Sequence, residues 1–514
     1  MAEFLNSIPT LLFLIILPAF TSVILIVIPS RFAKAIRCVS LGCSSFVSML
    51  TVVLFFSFDQ SVTGVQFSDR YEWLSIPGPW GSGEGAISLI LGVDGVGVTM
   101  VLLTGIVMLA GTLISWNIST FQKDFFVLYF LLISGVFGVF VSYDLFFFFF
   151  FYELSVLPMY LLISKWGSDS KFATFVRSSE YSALKLTLVL VGASVLIWVS
   201  IVAIFVQAEL GSFDINQIQE NGIGQLSVQF QNIFFLCLML GFGVLAGMWP
   251  FHTWSPDGHV AAPTAVSMVH AGVLMKLGAF GILRVAVTLM PEGAETWMPL
   301  LFAFGLVNVI YGAFSAMGQT DLKYVIGYSS VSHMGYVLMG IATLNVLGMS
   351  GAVLQMFSHG VMTALFFAVV GMIYERTHTR DTLVLNGLTK KMTIIAIFFA
   401  MAGLTSLGLP GLSGFPAELL IFIGVFKSYA IWGPIGGSLA IVGVGITAVY
   451  ILRLLSRVFM GPLPEKWDDQ TDANVREKLV ASVLSIVILV VGLWPFHFFK
   501  VIEVGISPLL ERLA

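Results

Sequence analysis

Long uninterrupted apolar runs constrain this chain more than any other feature of its sequence. A helix that crosses a bilayer needs about 20 apolar residues, because the hydrocarbon core is about 30 Å thick. Strands with open edges cannot satisfy their backbone groups in lipid, so continuous runs predict helices. The runs lie near residues 9–30, 36–57, 92–116, 124–142, 143–164, 181–206, 231–249, 262–289, 298–317, 323–344, 348–373, 394–426, 431–460 and 477–501. We therefore expect an all-α, polytopic membrane protein with about 14 transmembrane helices.

The composition agrees with burial in lipid. Only 10% of the 514 residues are charged, whereas about a quarter are charged in soluble domains. The net charge is −4, and no basic tail or patch indicates a nucleic-acid partner. The three cysteines, Cys38, Cys43 and Cys237, lie in or beside apolar runs without the spacing of metal ligands.

Basic residues are distributed unequally between the two sides of the predicted bundle. Most of the 24 lysines and arginines fall in the odd-numbered loops. The positive-inside rule then places these loops inside and both termini outside. No basic residue precedes the first apolar run, so we expect this run to be a retained helix rather than a cleaved signal. The longest outer loop, about 58–88, is rich in glycine and proline and is expected to form a lid.

Three ionisable residues lie deep in predicted spans, where each costs about 2.5–3.5 kcal/mol on insertion scales. Glu153 follows a run of phenylalanines, and Lys276 lies in the middle of the eighth span. Glu418 follows the segment GLPGLSGFPA, whose glycines and prolines predict a broken helix. Buried ionisable groups are functional candidates, and a desolvated lysine can exchange its proton near neutral pH. We interpret these three residues as proton carriers. The alternative is a static buried contact for Glu153 and Lys276, and a helix break with a surface-facing side chain for Glu418.

Four further side chains extend this set. Lys185 lies near the start of its span, where it either snorkels to the inner surface or takes part in proton transfer. His270, His333 and His359 lie in three different spans. An imidazole passes protons through its two ring nitrogens near neutral pH. Together with the buried glutamates and lysines, the three histidines favour a hydrated or proton-conducting path over isolated helix contacts.

Other chemistry receives little support. His252, His259 and Asp257 follow one another closely in HTWSPDGH, but capping and loop packing are favoured over a metal site. The sequence lacks a GKS/T phosphate loop, a GxGxxG segment that opens a soluble βα unit, and a GxSxG motif. It also lacks the paired histidines expected of a haem site. We therefore expect neither a redox centre nor a nucleotide site in this chain.

Seven segments resemble the large antiporter-like subunits of respiratory NADH–quinone oxidoreductase (complex I). The resemblance is strongest to the family of subunit M, whose mitochondrial equivalent is NADH dehydrogenase subunit 4, and it covers nearly the whole chain. The segments are LGVDGVGVTMVLLTG, FFFFFFYELSVLPMY, PFHTWSPDGHVAAPTAVSM, DLKYVIGYSSVSHMGYV, QMFSHGVMTALFF, YERTHTR and GLPGLSGFPAELL.

The resemblance implies an internal architecture for the single membrane domain, residues 1–514. In the family, two inverted five-helix repeats each contain one broken helix. They would correspond here to residues 124–289 and 298–460. Residues 9–116 would form an N-terminal three-helix segment, and residues 477–514 a C-terminal helix and tail.

The resemblance also implies a function and site residues. The chain would be a non-redox, proton-translocating subunit that couples quinone reduction elsewhere in the complex to proton transfer. FMN, iron–sulfur clusters and the quinone site would lie in other subunits, and the partners would be neighbouring antiporter-like and small membrane subunits. A bacterial inner membrane is favoured over the mitochondrial one. The family's proton-transfer residues fall on Glu153, Lys185, Lys276, His333, His359 and Glu418.

One departure from the family pattern bears on function. The family carries a lysine in its broken seventh helix, where this chain has Leu245. The glutamate at 153 would therefore lack its expected partner unless Lys185 or a water chain compensates. We hypothesise that His270 takes up part of the missing role. Two alternatives stay open: a subunit of an Mrp-type sodium/proton antiporter, and a structural subunit that no longer pumps.

Overall fold

Helices account for nearly all of the regular structure, as the apolar runs predict. A computed structural model describes residues 8–75, 87–171 and 176–513. In the first half of the chain the main helices are α1 (Thr10–Val27), α2 (Ala33–Ser57), α3 (Gly95–Ile114), α4 (Gln122–Val141), α5 (Leu145–Trp166), α6 (Ser179–Ala208), α7a (Val228–Leu245) and α7b (Trp254–Ala261). In the second half they are α8 (Thr264–Val287), α9 (Pro291–Met317), α10 (Leu322–Ala342), α11 (Val346–Thr377), α12a (Thr393–Ser406), α12b (Gly414–Phe426), α13 (Trp432–Phe459), α14 (Val475–Leu493) and α15 (Pro495–Leu510).

Twelve helices among the described residues are long and apolar enough to cross a membrane, or 13 if the bent pair α14–α15 is one span. The short helices α12a and α12b occupy the predicted twelfth span. The polytopic helical fold is thus confirmed. The total of 14 and the inverted repeats stay predictions.

The predicted breaks have local causes. After α12a, the backbone of Gly408 has a φ of +64°, a conformation that suits glycine because it lacks a Cβ. After α7a, Gly247 has a φ of +75°, and the chain then turns into α7b. Each break interrupts a helix inside the bundle, where unpaired backbone groups can meet other protein groups.

The predicted fourteenth span, 477–501, differs from the structure. The chain bends by 78° between α14 and α15. Pro495 is the first residue of α15, and the residue before a proline is disfavoured in helical conformation. Trp494 accordingly has φ −133° and ψ 61°. The helix α15 then crosses the start of α3, where Gly95 lies so close to the backbone of Val501 that no side chain would fit.

The predicted outer lid is partly a β-hairpin rather than irregular loop. Strands β1 (Gln66–Leu74) and β2 (Ile87–Val93) pair in antiparallel register. The residues between them, 76–86, lie outside the described part of the chain. A second, very short pair is formed by β3 (Ser170–Lys171) and β4 (Val176–Arg177).

The centre of the bundle is formed by α8, α10 and α11. The membrane-crossing windows of α8 and α11 are completely buried, and that of α10 is nearly so. In peripheral helices such as α2 and α13, less than half of the membrane-crossing window is buried. Each central helix carries an ionisable side chain that the sequence singles out: Lys276, His333 and His359. The fold therefore shields these side chains from lipid.

Candidate functional site

The local structure of α8 positions its lysine. The helix is α-helical at Thr264–Val269, widens into a π-turn at His270–Leu274, and is α-helical again at Met275–Gly281. Single π-turns inside α-helices occur frequently at functional sites. The carbonyl of Ala271, inside this turn, accepts a hydrogen bond from Nζ of Lys276. The lysine is completely buried.

A row of polar side chains leads from this lysine across the bundle. Nζ of Lys276 lies 2.7 Å from Nδ1 of His359 on α11. The ring centroid of His359 lies 5.3 Å from that of His333 on α10. The amide of Gln355 bridges the last step, with Nε2 3.2 Å from His333 Nδ1 and 3.4 Å from Glu418 Oε1. The row thus joins three central helices to the broken twelfth span.

The break in the twelfth span supports the far end of the row. Ser406, the last residue of α12a, places its hydroxyl 2.8 Å from Nε2 of His333. A Cβ added to Gly408 would lie 2.6 Å from Oε2 of Glu418. The glycine therefore gives the carboxylate room to approach the break. Gly408 therefore allows both the turn of the backbone and the close approach of the Glu418 carboxylate.

The lysine in this row has no acidic partner at contact distance. Within residues 8–75, 87–171 and 176–513, no carboxylate oxygen lies within 4.0 Å of Nζ of Lys276. Its hydrogen bonds go to a carbonyl and an imidazole, which are neutral acceptors. Burying an ammonium without a counter-charge is costly, which makes this lysine a candidate for a functional role.

Lys185, one of the two possible substitutes for the missing partner of Glu153, forms its ion pair elsewhere. Nζ of Lys185 lies 2.7 Å from Oδ2 of Asp257 on α7b. Oε1 of Glu153 has no hydrogen-bond partner among the described residues, and Ser194 on α6 lies beside its carboxyl group. The two residues stay candidates for proton transfer, but they belong to separate local environments.

Asp257 is the centre of an ion-pair cluster at α7b. Its carboxylate contacts Lys185, the guanidinium of Arg177 and the hydroxyl of Tyr324, the last at 3.0 Å. Asp257 itself is buried. A single carboxylate therefore holds α7b to α6 and α10.

Replacing Asp257 by alanine is expected to lower the stability of the assembled protein by about 1–3 kcal/mol, because two cations and a hydroxyl lose a hydrogen-bonding partner. The measurement is the thermal unfolding midpoint of the purified complex. Asp124→Ala, which removes an exposed carboxylate in the first turn of α4, is the matched control. Equal midpoints for the two variants would show that the cluster does not stabilise the fold.

His259 is a site residue that the sequence interpretation assigned to capping or loop packing. It is completely buried, and its Nδ1 lies 2.9 Å from Nδ1 of His270. The segment between Pro256 and Pro263 is too short to carry His259 away from the start of α8. This short spacing is the sequence signal that indicates a position of His259 near α8. His252, by contrast, packs against the ring of Tyr311 at 4.9 Å.

Leu245 ends α7a at the position of the family's lysine. It is buried, and its backbone carbonyl carbon lies 2.9 Å from where a Cβ on Gly278 of α8 would be. The helix end therefore packs tightly against α8, two residues beyond Lys276. An apolar side chain stands where the family pattern has a cation.

Comparison with known proteins supports the resemblance drawn from the motifs. A family described as NADH:quinone oxidoreductase/Mrp antiporter, transmembrane, matches residues 142–443. The NAD(P)H-quinone oxidoreductase chain 4 1 of Synechococcus elongatus is 36% identical over 98% of this chain and 92% of its own length. The corresponding chain 4 of Gloeobacter violaceus is 34% identical over 95% and 90%.

Solved structures show the same fold. A chain of respiratory complex I from Thermus thermophilus superposes with a TM-score of 0.85 at 23% identity, covering 98% of both chains. A chain of the Mrp complex from Dietzia reaches 0.83 at 18% identity with the same coverage. The family match spans more than half of the chain, and relatives more than 30% identical align with nearly all of it. This chain therefore belongs to the NADH:quinone oxidoreductase/Mrp antiporter family of transmembrane proteins.

Proposed function

We propose that this chain is a proton-translocating subunit of an NADH–quinone oxidoreductase. The observation that carries the proposal is the buried row from Lys276 through His359 and His333 to Glu418. Every member of this row except the bridging Gln355 can bind and release a proton. Burying such groups away from lipid is costly unless they have a function.

The names of the relatives support the nature of the parent complex. Several relatives aligned over almost the whole chain are NAD(P)H-quinone oxidoreductase chain 4. By analogy, FMN, iron–sulfur clusters and the quinone site would belong to other subunits. The partners would be neighbouring antiporter-like and small membrane subunits, in a bacterial inner membrane with both termini outside.

The contacts suggest the order of proton transfer. The ammonium of Lys276 gives a proton to Nδ1 of His359, 2.7 Å away, and becomes a neutral amine. The proton then moves to His333 and on to the carboxylate of Glu418. The charge of each group affects the proton affinity of the next, so the row titrates as a coupled unit. Redox chemistry elsewhere in the complex would drive the row by changing the charge near Lys276.

Replacing Glu418 by glutamine is expected to lower the number of protons translocated per electron, because the amide keeps hydrogen bonds but accepts no proton at neutral pH. The measurement is NADH-driven proton uptake by the intact complex in proteoliposomes, with NADH oxidation recorded in parallel. Glu511→Gln, at an exposed C-terminal carboxylate, is the matched control.

The alternatives give different outcomes in the same assay. A sodium/proton antiporter would require sodium, so exchanging sodium for potassium would abolish its transport. A structural subunit that no longer pumps would give the same proton yield with Glu418→Gln as without it. Either result would contradict the proposal.

A further inference from the structure

We infer that His259 and His270 form an imidazole pair that passes protons to Lys276, in place of the lysine that the family carries at the position of Leu245. This inference rests on the function proposed above and extends it to the proton donor. The pair joins α7b to the π-turn of α8. Neither the family motifs nor the sequence interpretation paired these two residues.

The geometry of the pair is specific. Nδ1 of His259 and Nδ1 of His270 are 2.9 Å apart, so one nitrogen must donate and the other must accept. Both rings are buried. The ring of Trp254 stacks on His270 with centroids 5.4 Å apart, and its indole Nε1 is held by the carbonyl of Val244. These contacts fix both rings in the hydrogen-bonded orientation.

The Nε2 atoms of the two rings, which take no part in the hydrogen bond between them, have different surroundings. Nε2 of His259 lies 3.1 Å from the hydroxyl of Ser255 and 3.3 Å from Sδ of Met275, the residue before Lys276. Nε2 of His270 makes no hydrogen bond with any described residue. The hydroxyl of Ser255 can donate either to Nε2 of His259 or to Sδ of Met275, 3.4 Å away. In the transfer that we propose, it donates to Nε2 of His259, so the proton of that ring lies on Nδ1 and the proton of the His270 ring lies on its Nε2.

These tautomers define a balanced transfer. A proton binds Nε2 of His259, and the resulting imidazolium releases its Nδ1 proton to Nδ1 of His270. The second imidazolium then releases its Nε2 proton toward the neutral amine of Lys276, which becomes an ammonium. Each ring gains one proton on one nitrogen and loses one from the other. Both rings end in the opposite tautomer, so they must reset before the next transfer.

A cavity of about 200 Å³ borders the segment that connects the two histidines. It is lined by residues 262–265 of that segment and by Lys323, Glu375 and Arg380, among others. Nζ of Lys323 donates to the carbonyl of Ala262 at 2.6 Å, in the segment that follows His259. We therefore place the proton entry to the pair at this cavity, with the buried Lys276 as the acceptor.

The test compares protons per electron for the intact complex in proteoliposomes. His259→Asn keeps a hydrogen-bonding group near Nδ1 but cannot carry a proton, and His270→Leu removes the second ring. Each is expected to lose the same share of proton translocation as Lys276→Ala. The decisive variant is His270→Leu combined with Leu245→Lys, which restores the family's cation and is expected to recover the lost share. A merely structural role for the pair would not be rescued by a lysine on α7a.

The control is His378→Asn, because this exposed histidine has a φ of +51°, a conformation that asparagine tolerates well. It is expected to leave protons per electron unchanged. A loss with Lys276→Ala but none with His259→Asn or His270→Leu would overturn this inference alone, whereas no loss with Lys276→Ala would overturn the proposed function. If His259→Asn fails to assemble, His270→Leu with and without Leu245→Lys decides the question, and absence of rescue contradicts the inference.

Discussion

Lys276→Ala is expected to stop proton transfer through this chain while the complex still assembles. The amine is the group that joins the α8 π-turn to His359, and alanine has no atom that reaches either partner. Loss of a positioned proton carrier slows transfer by roughly 10²-fold or more. Assembly should survive because the substitution leaves no unpaired charge behind: no carboxylate of the part of the chain that the structure describes pairs with this buried ammonium.

The measurement is again NADH-driven proton uptake in proteoliposomes, normalised to electrons transferred. Lys427→Ala, which removes an exposed lysine just after α12b, serves as the control. The proton yield of Lys276→Ala should fall by the whole contribution of this subunit. An unchanged yield would show that protons do not pass through the row.

The second large effect concerns a buried ion pair near the C-terminal end of α8. Nη2 of Arg284 lies 2.6 Å from Oδ1 of Asp94, and both side chains are nearly inaccessible. The same carboxylate oxygen caps α3 by accepting a hydrogen bond from the amide of Gly97 at 2.8 Å. Asp94→Ala is expected to destabilise the protein by about 3–5 kcal/mol, because it leaves a buried guanidinium without its counter-charge.

The amount of assembled complex on native gels and its thermal unfolding midpoint measure this loss. The double variant Asp94→Ala with Arg284→Leu should be milder than Asp94→Ala alone, since no unpaired charge remains. The ion pair of Arg70 with Asp214 is the contrasting case, because the side chain of Arg70 is 47% exposed. Arg70→Ala should cost about 0–1 kcal/mol. Equal losses for Asp94→Ala and Arg70→Ala would contradict the argument.

Much of this architecture follows from local sequence properties. Apolar runs predict most of the spans because bilayer thickness sets helix length, and glycine with proline predicts the break before Glu418. The buried positions of Lys276, His333 and His359 follow from the cost of placing ionisable groups in lipid. Each of these predictions uses a short segment of the sequence and a single energetic rule.

Features that depend on packing between helices could not be predicted in full. The short spacing between Pro256 and Pro263 keeps His259 near the start of α8, but the orientation of its ring toward His270 depends on how α7b packs. The pairing of Lys185 with Asp257 rather than Glu153 depends on how α6 packs against α7b. The π-turn at His270–Leu274 has no counterpart in apolar periodicity, because the whole helix is buried. Pro495 is a sequence signal for the bend at Trp494, but the apolar run continues past this proline and therefore favours one unbroken span.

That bend gives the C-terminal helix a consequence for the ion pair of Asp94 and Arg284. Because α15 crosses the start of α3, Gly505 and Leu509 line the same cavity, of about 300 Å³, as Asp94 and Arg284. Helix α15 thus forms one wall between these two opposite charges and bulk solvent. Shortening the protein after Leu493 would wet these charges and weaken their attraction, so a truncation distant in sequence would loosen the first helices of the bundle.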